Sequence, residues 1–454
     1  MKFITLIIYI ILYLFNIIKI INSNETIIFA FEMCRHGARA PYLGVENGLD
    51  KYKEYWPIVE ESTSTGKRQL YLLGVKARLR YNNLLKEKYD PNEILIKSTD
   101  SNRTIEAISS FLQGLYPNGT GEILNDNISN KKNIIYPPNT KYYDYFDDII
   151  NEYDMNNSAL PNKINIVPVH VMNKNEKNFN LYDVSLCPYR KYENAKKFSN
   201  PKLAKLALKS VNETGNLFLE LEPTEDINFL NDYWTFYKYA DTFYCDDTDK
   251  RRFDFLNNKY GKDMVDKLRN ISKEYLDLCY FDINFDEEDT DIGLLSSSHT
   301  MNLVLDWISE AKQNYLKSNN YLKYVVYSAH DISVGALDAF MKAIFKNDIY
   351  ECDFGCSRII ELYLKNEEFY IRYLLTNESI IINEKYDDFV RRVKEKIWSD
   401  EDIRNYCEEN KDNKDNKDNN ENNTSYNLMV FLIILNAILL IFLVAFYRNK
   451  KNLN

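Results

Sequence analysis

Two apolar runs, each ending in a histidine motif, constrain this chain more than any other feature. The first, Thr26 to Met33, reads TIIFAFEM and runs straight into Cys34-Arg35-His36-Gly37-Ala38-Arg39-Ala40-Pro41. The second, Tyr324 to Tyr327, reads YVVY and runs into Ser328-Ala329-His330-Asp331. Short runs rich in β-branched and aromatic residues predict buried strands. In α/β sheets, ligands bind beyond the carboxyl ends of the strands, and both histidine motifs fall there.

The residue types at those ends point to phosphoryl chemistry. Arg35, His36 and Arg39 put two guanidiniums and an imidazole within five residues, and Gly37 lets the backbone come close. Such a loop can cradle a tetrahedral dianion beside a nucleophile. His330 and Asp331 would add a phosphate ligand and a proton donor. A third piece is the strand-like Ile94 to Ser98, followed by a polar turn and by Ile105, Ile108, Phe111, Leu112 and Leu115 at helical spacing. That pattern puts Arg103 at a helix N-terminus, where backbone N–H groups and the helix dipole already favour an anion. The alternative for Arg103 is a surface arginine paired with Asp100 or Glu106. His170 and His299 lack a second histidine or cysteine at metal-ligand spacing, so structural or surface roles are expected for both.

RHGARAP, STDSNRT and SAHD together resemble the histidine acid phosphatases, the branch of the histidine phosphatase superfamily that includes lysosomal and prostatic acid phosphatases. Thr65-Gly66 with Gln69, Leu73-Gly74, Leu186-Cys187-Pro188, Phe243-Tyr244-Cys245 and Thr376-Asn377-Glu378-Ser379 resemble further landmarks of that family. The resemblance implies an α/β fold, with a central mixed sheet flanked by helices (a phosphoglycerate-mutase-like core) and an inserted α-rich cap. It implies His36 as the nucleophile that becomes a phosphohistidine, with Arg35, Arg39, Arg103 and His330 as phosphate ligands. Asp331 would be the proton donor, and no metal or cofactor is implied. It also suggests disulfides Cys187 with Cys407 and Cys245 with Cys356, leaving Cys279 and Cys352 free or paired with each other. Cys34, at the end of the first strand, is expected to be a buried free thiol.

The expected organisation is a signal peptide over 1–23, the two halves of the core over 24–141 and 294–407, and the cap over 142–293. A polar KDN-rich stalk over 408–427, a transmembrane helix over 428–447 and a short tail over 448–454 complete it. The apolar stretch after Met1-Lys2 reads as a secretory signal, with a retained anchor as the alternative. The second apolar stretch has about the twenty residues a bilayer requires, and Arg448, Lys450 and Lys451 follow it. The positive-inside rule then makes a single-pass type I protein whose catalytic part is lysosomal-lumenal or extracellular. Seven cysteines and several N-x-S/T sequons, among them Asn118, Asn212 and Asn377, agree with that compartment. Asn102, next to Arg103, is expected to be too enclosed for glycosylation.

A net charge of −10 argues against a nucleic-acid partner and inclines the substrate toward small phosphomonoesters. Two other readings stay open: a phytase or inositol polyphosphate phosphatase of the same fold, and a catalytically silent receptor-like ectodomain. Homodimerisation is left open too.

Overall fold

A computed structural model describes residues 25–41, 56, 58–127, 131–138, 141–155, 157–172, 241–242, 244–250, 291–348 and 352–403, with isolated positions between 261 and 270. The expected signal peptide, stalk, transmembrane helix and tail, most of the cap, and Cys187, Cys279 and Cys407 lie outside the described residues. Among the described residues, no helix is long and apolar enough to cross a membrane.

Seven strands form one mixed sheet. In chain order they are β1 (Glu25–Arg35), β2 (Ile94–Ser98), β3 (His170–Val171), β4 (Tyr324–Ala329), β5 (Ser357–Lys365), β6 (Glu368–Leu375) and β7 (Ile380–Lys385). Their spatial order is β3-β2-β4-β1-β5-β6-β7. The pairs β3/β2, β2/β4 and β4/β1 are parallel, whereas β5, β6 and β7 follow β1 as antiparallel neighbours. The expected mixed α/β sheet is therefore present. Its helices are α1 (Ser64–Arg80), α2 (Asn102–Leu115), α3 (Lys132–Ile135), α4 (Tyr143–Glu152), α5 (Asp291–Leu316), α6 (Asp331–Phe345) and α7 (Tyr386–Lys394).

Strand periodicity divides the core. Phe29, Phe31 and Met33 of β1, with Val325 and Tyr327 of β4, join a cluster with Val304 and Ile308 of α5 and Leu337 and Phe340 of α6. The intervening Ala30 and Cys34, with Tyr324 and Val326, pack with Leu70 and Leu73 of α1 and Phe111 of α2. Alternation along a pleated strand sends neighbours to opposite faces, so a continuous apolar run is what helices on both sides require. The central position of β1 and β4 follows from it.

Register then places the chemistry. Arg35 of β1 lies opposite Ala329 of β4, and Ser98 of β2 lies opposite Ser328. Three parallel strands thus end side by side, followed by His36, by His330-Asp331 and by the turn leading to Arg103. Helix α6 starts at Asp331 with His330 as its N-cap residue, and α2 starts at Asn102 with Ser101 as its N-cap residue.

Candidate active site

The loop carrying His36 is held by backbone contacts that the residue types permit. The His36 N–H donates to the Ala329 carbonyl at 3.1 Å, and the His36 carbonyl accepts from the Gly355 N–H at 3.0 Å. On the other side the loop presses on the first turn of α1. A Cβ on Gly37 would lie 2.3 Å from the Gly66 carbonyl oxygen, and one on Gly66 would lie 2.0 Å from the Ala38 oxygen. Only two glycines allow that approach. Thr63 caps α1 by accepting from the Gly66 N–H at 3.2 Å, and its N–H donates to the Ala38 carbonyl at 3.0 Å. The Gln69 Oε1 accepts from the Ala38 N–H at 2.8 Å, which gives that landmark residue a job.

The His36 ring is oriented and buried. Its Nδ1 lies 2.9 Å from the Gly37 carbonyl, which can only accept, so Nδ1 carries the hydrogen and Nε2 carries the lone pair. Burial, and then the charges of Arg39, Arg103 and Arg35 with the neighbouring His330, hold its pKa well below the ordinary imidazole value. His36 is therefore neutral, with a basic nitrogen, amid three guanidiniums.

Each guanidinium has a carboxylate. An Arg35 Nη lies 2.8 Å from Asp331, and its other Nη donates to the Cys352 carbonyl at 2.7 Å. Its charged carbon sits 4.3 Å from the centroid of the Phe354 ring, which stacks on Tyr244 at 4.7 Å. Arg39 is gripped by both oxygens of buried Asp241, at 2.9 and 3.0 Å. Arg103 donates from Nη1 to Glu60 at 2.8 Å, so its partner is neither Asp100 nor Glu106. Its Nε–H is buried without a hydrogen-bond partner among the described residues, a donor an oxyanion would satisfy.

His330 faces His36 edge-on, with ring centroids 5.6 Å apart. Its Nε2 lies 3.0 Å from the Thr99 hydroxyl, which lies 2.8 Å from the Thr104 hydroxyl, which donates to the Ser101 carbonyl at 2.8 Å. Because the last proton goes to a carbonyl, the chain runs one way: Nε2–H donates to Thr99, and Thr99 donates to Thr104. The Nδ1 lone pair then turns to Arg103, whose Nη2 is 3.5 Å away. The Asp331 side chain is 18% exposed. Burial does push its carboxyl up. Arg35, Arg39, His330 and the Ile332 N–H together outweigh burial and leave it below the ordinary carboxylate value.

All six residues singled out in the sequence, His36, Asp331, Arg35, Arg39, Arg103 and His330, thus converge at the ends of β1, β2 and β4. Asp241, Glu60 and Phe354 were missed, because their partners are remote in sequence and no local motif marks them; Thr99 lies within STDSNRT, but its partner His330 is 231 residues away. The residues 142–293 contribute Asp241 and Tyr244 from a helical segment, 241–249 with 243 outside the described residues.

Two expectations need correction. Cys356 is disulfide-bonded to Cys352, with Cα atoms 5.4 Å apart, and not to Cys245, so Cys352 is neither free nor paired with Cys279. Cys245 is a buried free thiol whose sulfur accepts from Arg39 at 3.7 Å, and a partner only four residues away closes a far shorter loop than a remote one. Asn102 is exposed and not enclosed, its amide donating to Glu61 at 2.8 Å. Cys34 is a buried free thiol as expected. His299 pairs with Asp400 at 2.6 Å, and His170 is exposed on edge strand β3.

The family description "Histidine phosphatase superfamily (branch 2)" matches residues 26–376. The chain belongs to that family. Phosphomonoester hydrolysis through a phosphohistidine is general to it. The chain is 26% identical over 376 residues to "Lysosomal acid phosphatase" of Xenopus laevis, covering 81% of this chain and 73% of the relative. It is 24% identical over 354 residues to "Prostatic acid phosphatase" of Bos taurus, covering 76% of each. Among solved structures, the phytase of Klebsiella sp. ASR1 superposes with a TM-score of 0.53 at 12% identity, over 83% of this chain and 97% of that one. This last likeness shows the shared histidine phosphatase fold.

Proposed function

We propose that this histidine phosphatase is an acid phosphatase for small phosphomonoesters, with His36 as nucleophile and Asp331 as general acid. The observation that carries it is the His36 ring: neutral, its Nδ1–H fixed on Gly37, and surrounded by Arg35, Arg39 and Arg103. The acid phosphatase relatives support the same activity.

In this reading the phosphate dianion binds among the three arginines and His330, whose donors match the charge spread over its oxygens in the transition state. The His36 Nε2 attacks phosphorus, and the bond to the ester oxygen breaks. That oxygen takes a proton from Asp331 and departs as the alcohol. Asp331 then takes a proton from water as its oxygen attacks the phosphohistidine, releasing inorganic phosphate and neutral His36. The arginines by themselves hold Asp331 as a carboxylate. A bound dianion offsets that positive field, so the substrate itself raises the Asp331 pKa and lets it carry the proton. An acidic medium assists that step, and a His36 pKa held low keeps the nucleophile neutral there.

The test is leaving-group dependence. Asp331→Asn is expected to lose far more rate on glycerol phosphate than on p-nitrophenyl phosphate, whose phenolate departs without a proton. Equal losses on both would leave Asp331 only a positioning residue.

The sequence and the lysosomal relatives support a location for it: a catalytic domain in the lysosomal lumen or outside the cell, joined by a stalk to a single-pass helix over 428–447. Proteolysis within 408–425 should release soluble, active enzyme from membranes. Activity that stays with the membrane after verified cleavage would require another anchor.

A further inference from the structure

The carboxylates that meet the arginines among the described residues, Asp331, Asp241 and Glu60, are not equivalent. Asp331 belongs to the chemistry. Asp241 is buried and takes both terminal nitrogens of Arg39, which fixes that side chain from behind. Glu60 is different: its side chain is 35% exposed and comes from a segment that runs along the catalytic loop as a rim. The Glu60 N–H donates to the Pro41 carbonyl at 3.1 Å, the Ala40 N–H donates to the Glu61 carbonyl at 2.8 Å, and Arg39 bridges to Ser62. Glu61 accepts from Asn102, and Ser62 donates to the Arg103 carbonyl at 3.3 Å, so the rim is tied to the N-terminus of α2 as well. Glu60 has φ 62°, a left-handed conformation that a glutamate rarely adopts and that clusters at functional sites. The apolar Ile58 and Val59 beside it are 63% and 38% exposed.

Glu60 occupies Nη1 of Arg103 while Nη2 points toward His330. A phosphate on the inner side of Arg103 and the Glu60 carboxylate on the outer side would share one guanidinium. The phosphate being cleaved tolerates this, because three arginines surround it. A second phosphate on a leaving group that reaches the rim would face the Glu60 carboxylate directly.

We propose that Glu60 is a specificity-determining residue: its carboxylate repels leaving groups that carry further phosphates and so restricts this site to monophosphorylated substrates with uncharged or cationic leaving groups. The inference rests on the phosphomonoesterase reading of the same site. Like-charge opposition of this kind acts as discrimination against the wrong partner, with little benefit to the right one.

The experiment compares myo-inositol 1-phosphate with myo-inositol hexakisphosphate, for the wild type, Glu60→Gln and Glu60→Gly. The glutamine keeps the shape without the charge, and the glycine also removes the backbone strain. Both variants are expected to raise the kcat/KM ratio of hexakisphosphate to monophosphate by about tenfold, mainly through KM of the polyphosphate, a partly exposed charge being worth about one order of magnitude. In the wild type that ratio should also climb with added salt, and the climb should flatten in the variants. A ratio that stays at the wild-type value in both variants, or a parallel loss on both substrates, overturns the proposal and leaves Glu60 a brace for Arg103. A wild-type enzyme inactive on inositol monophosphate and glycerol phosphate alike would instead remove the phosphatase reading itself.

Discussion

The charge state of His36 is the property on which this pocket turns. Removing the ring should abolish turnover, and it should also change how stability depends on pH. The folded pKa of His36 lies well below its ordinary value of 6.5. Between those two values the unfolded chain holds a proton that the folded chain does not, so stability rises with pH there and is lost as pH falls. Unfolding midpoints measured from pH 7 to pH 5 should therefore drop more steeply in the wild type than in His36→Ala. Identical slopes would mean that burial and the three arginines do not disfavour the imidazolium. Bound phosphate supplies the missing counter-charge and should shrink the difference. Neighbouring Cys34 has no part in this: burial, and then Glu32, push its thiol far up, so it stays a protonated, inert side chain in the core.

At the level of elements, the site depends on how α1 meets the catalytic loop. Gly66 belongs to a family landmark for a physical reason: no Cβ fits between it and Ala38. Gly66→Ala should destabilise the protein by about 1–3 kcal/mol through forced backbone movement. The rate should suffer more than the fold, because a displacement of about 1 Å at a reacting group costs on the order of a hundredfold. Chemical denaturation and steady-state kinetics on the same preparation separate the two. A variant destabilised as expected but fully active would show that the loop does not need α1 for its position. The parallel ends of β1, β2 and β4 act together in a similar way, since a one-residue slip of register would turn Arg35 and Ser98 away from their present neighbours.

For the molecule as a whole, the antiparallel half of the sheet is tied to the parallel half by buried charge. Glu361 of β5 accepts from Arg80 of α1 at 2.5 and 2.9 Å, from the Tyr81 hydroxyl at 2.8 Å, and from Arg372 of β6 at 2.6 Å. Burial pushes its carboxyl up, but the two arginines outweigh burial and hold it below the ordinary value. A carboxylate with a lowered folded pKa contributes stability that is present above its unfolded pKa and lost only as pH falls through the folded one. The network therefore stays intact in a mildly acidic compartment. Glu361→Gln should destabilise the protein by about 3 kcal/mol, since it removes the buried counter-ion that half-buried Arg80 and buried Arg372 share. Urea titration would show this, with turnover per folded molecule preserved, because Glu361 lies several residues back along the sheet from His36. A much smaller change would mean that Glu25, 3.0 Å from Arg372, compensates.

The sequence alone determined that β1, β2 and β4 are strands and which six side chains gather at or just beyond their carboxyl ends. Those facts are local: a strand is legible from composition and alternation, and a motif of adjacent residues reaches the site as one piece. The Arg103 helix was legible for the same reason, from its spacing and polar turn. What only the tertiary structure decided concerns partners brought together across long stretches of chain. Asp241 grips Arg39 from 202 residues away, and Thr99 sets the tautomer of His330 from 231 residues away. Glu60 meets Arg103 through a rim that no motif announces, and Cys356 takes Cys352 as its partner. The charge state of Asp331 belongs here too, because a pKa sums burial and every nearby charge, and those are set by the packed arrangement in space and not by the order of residues.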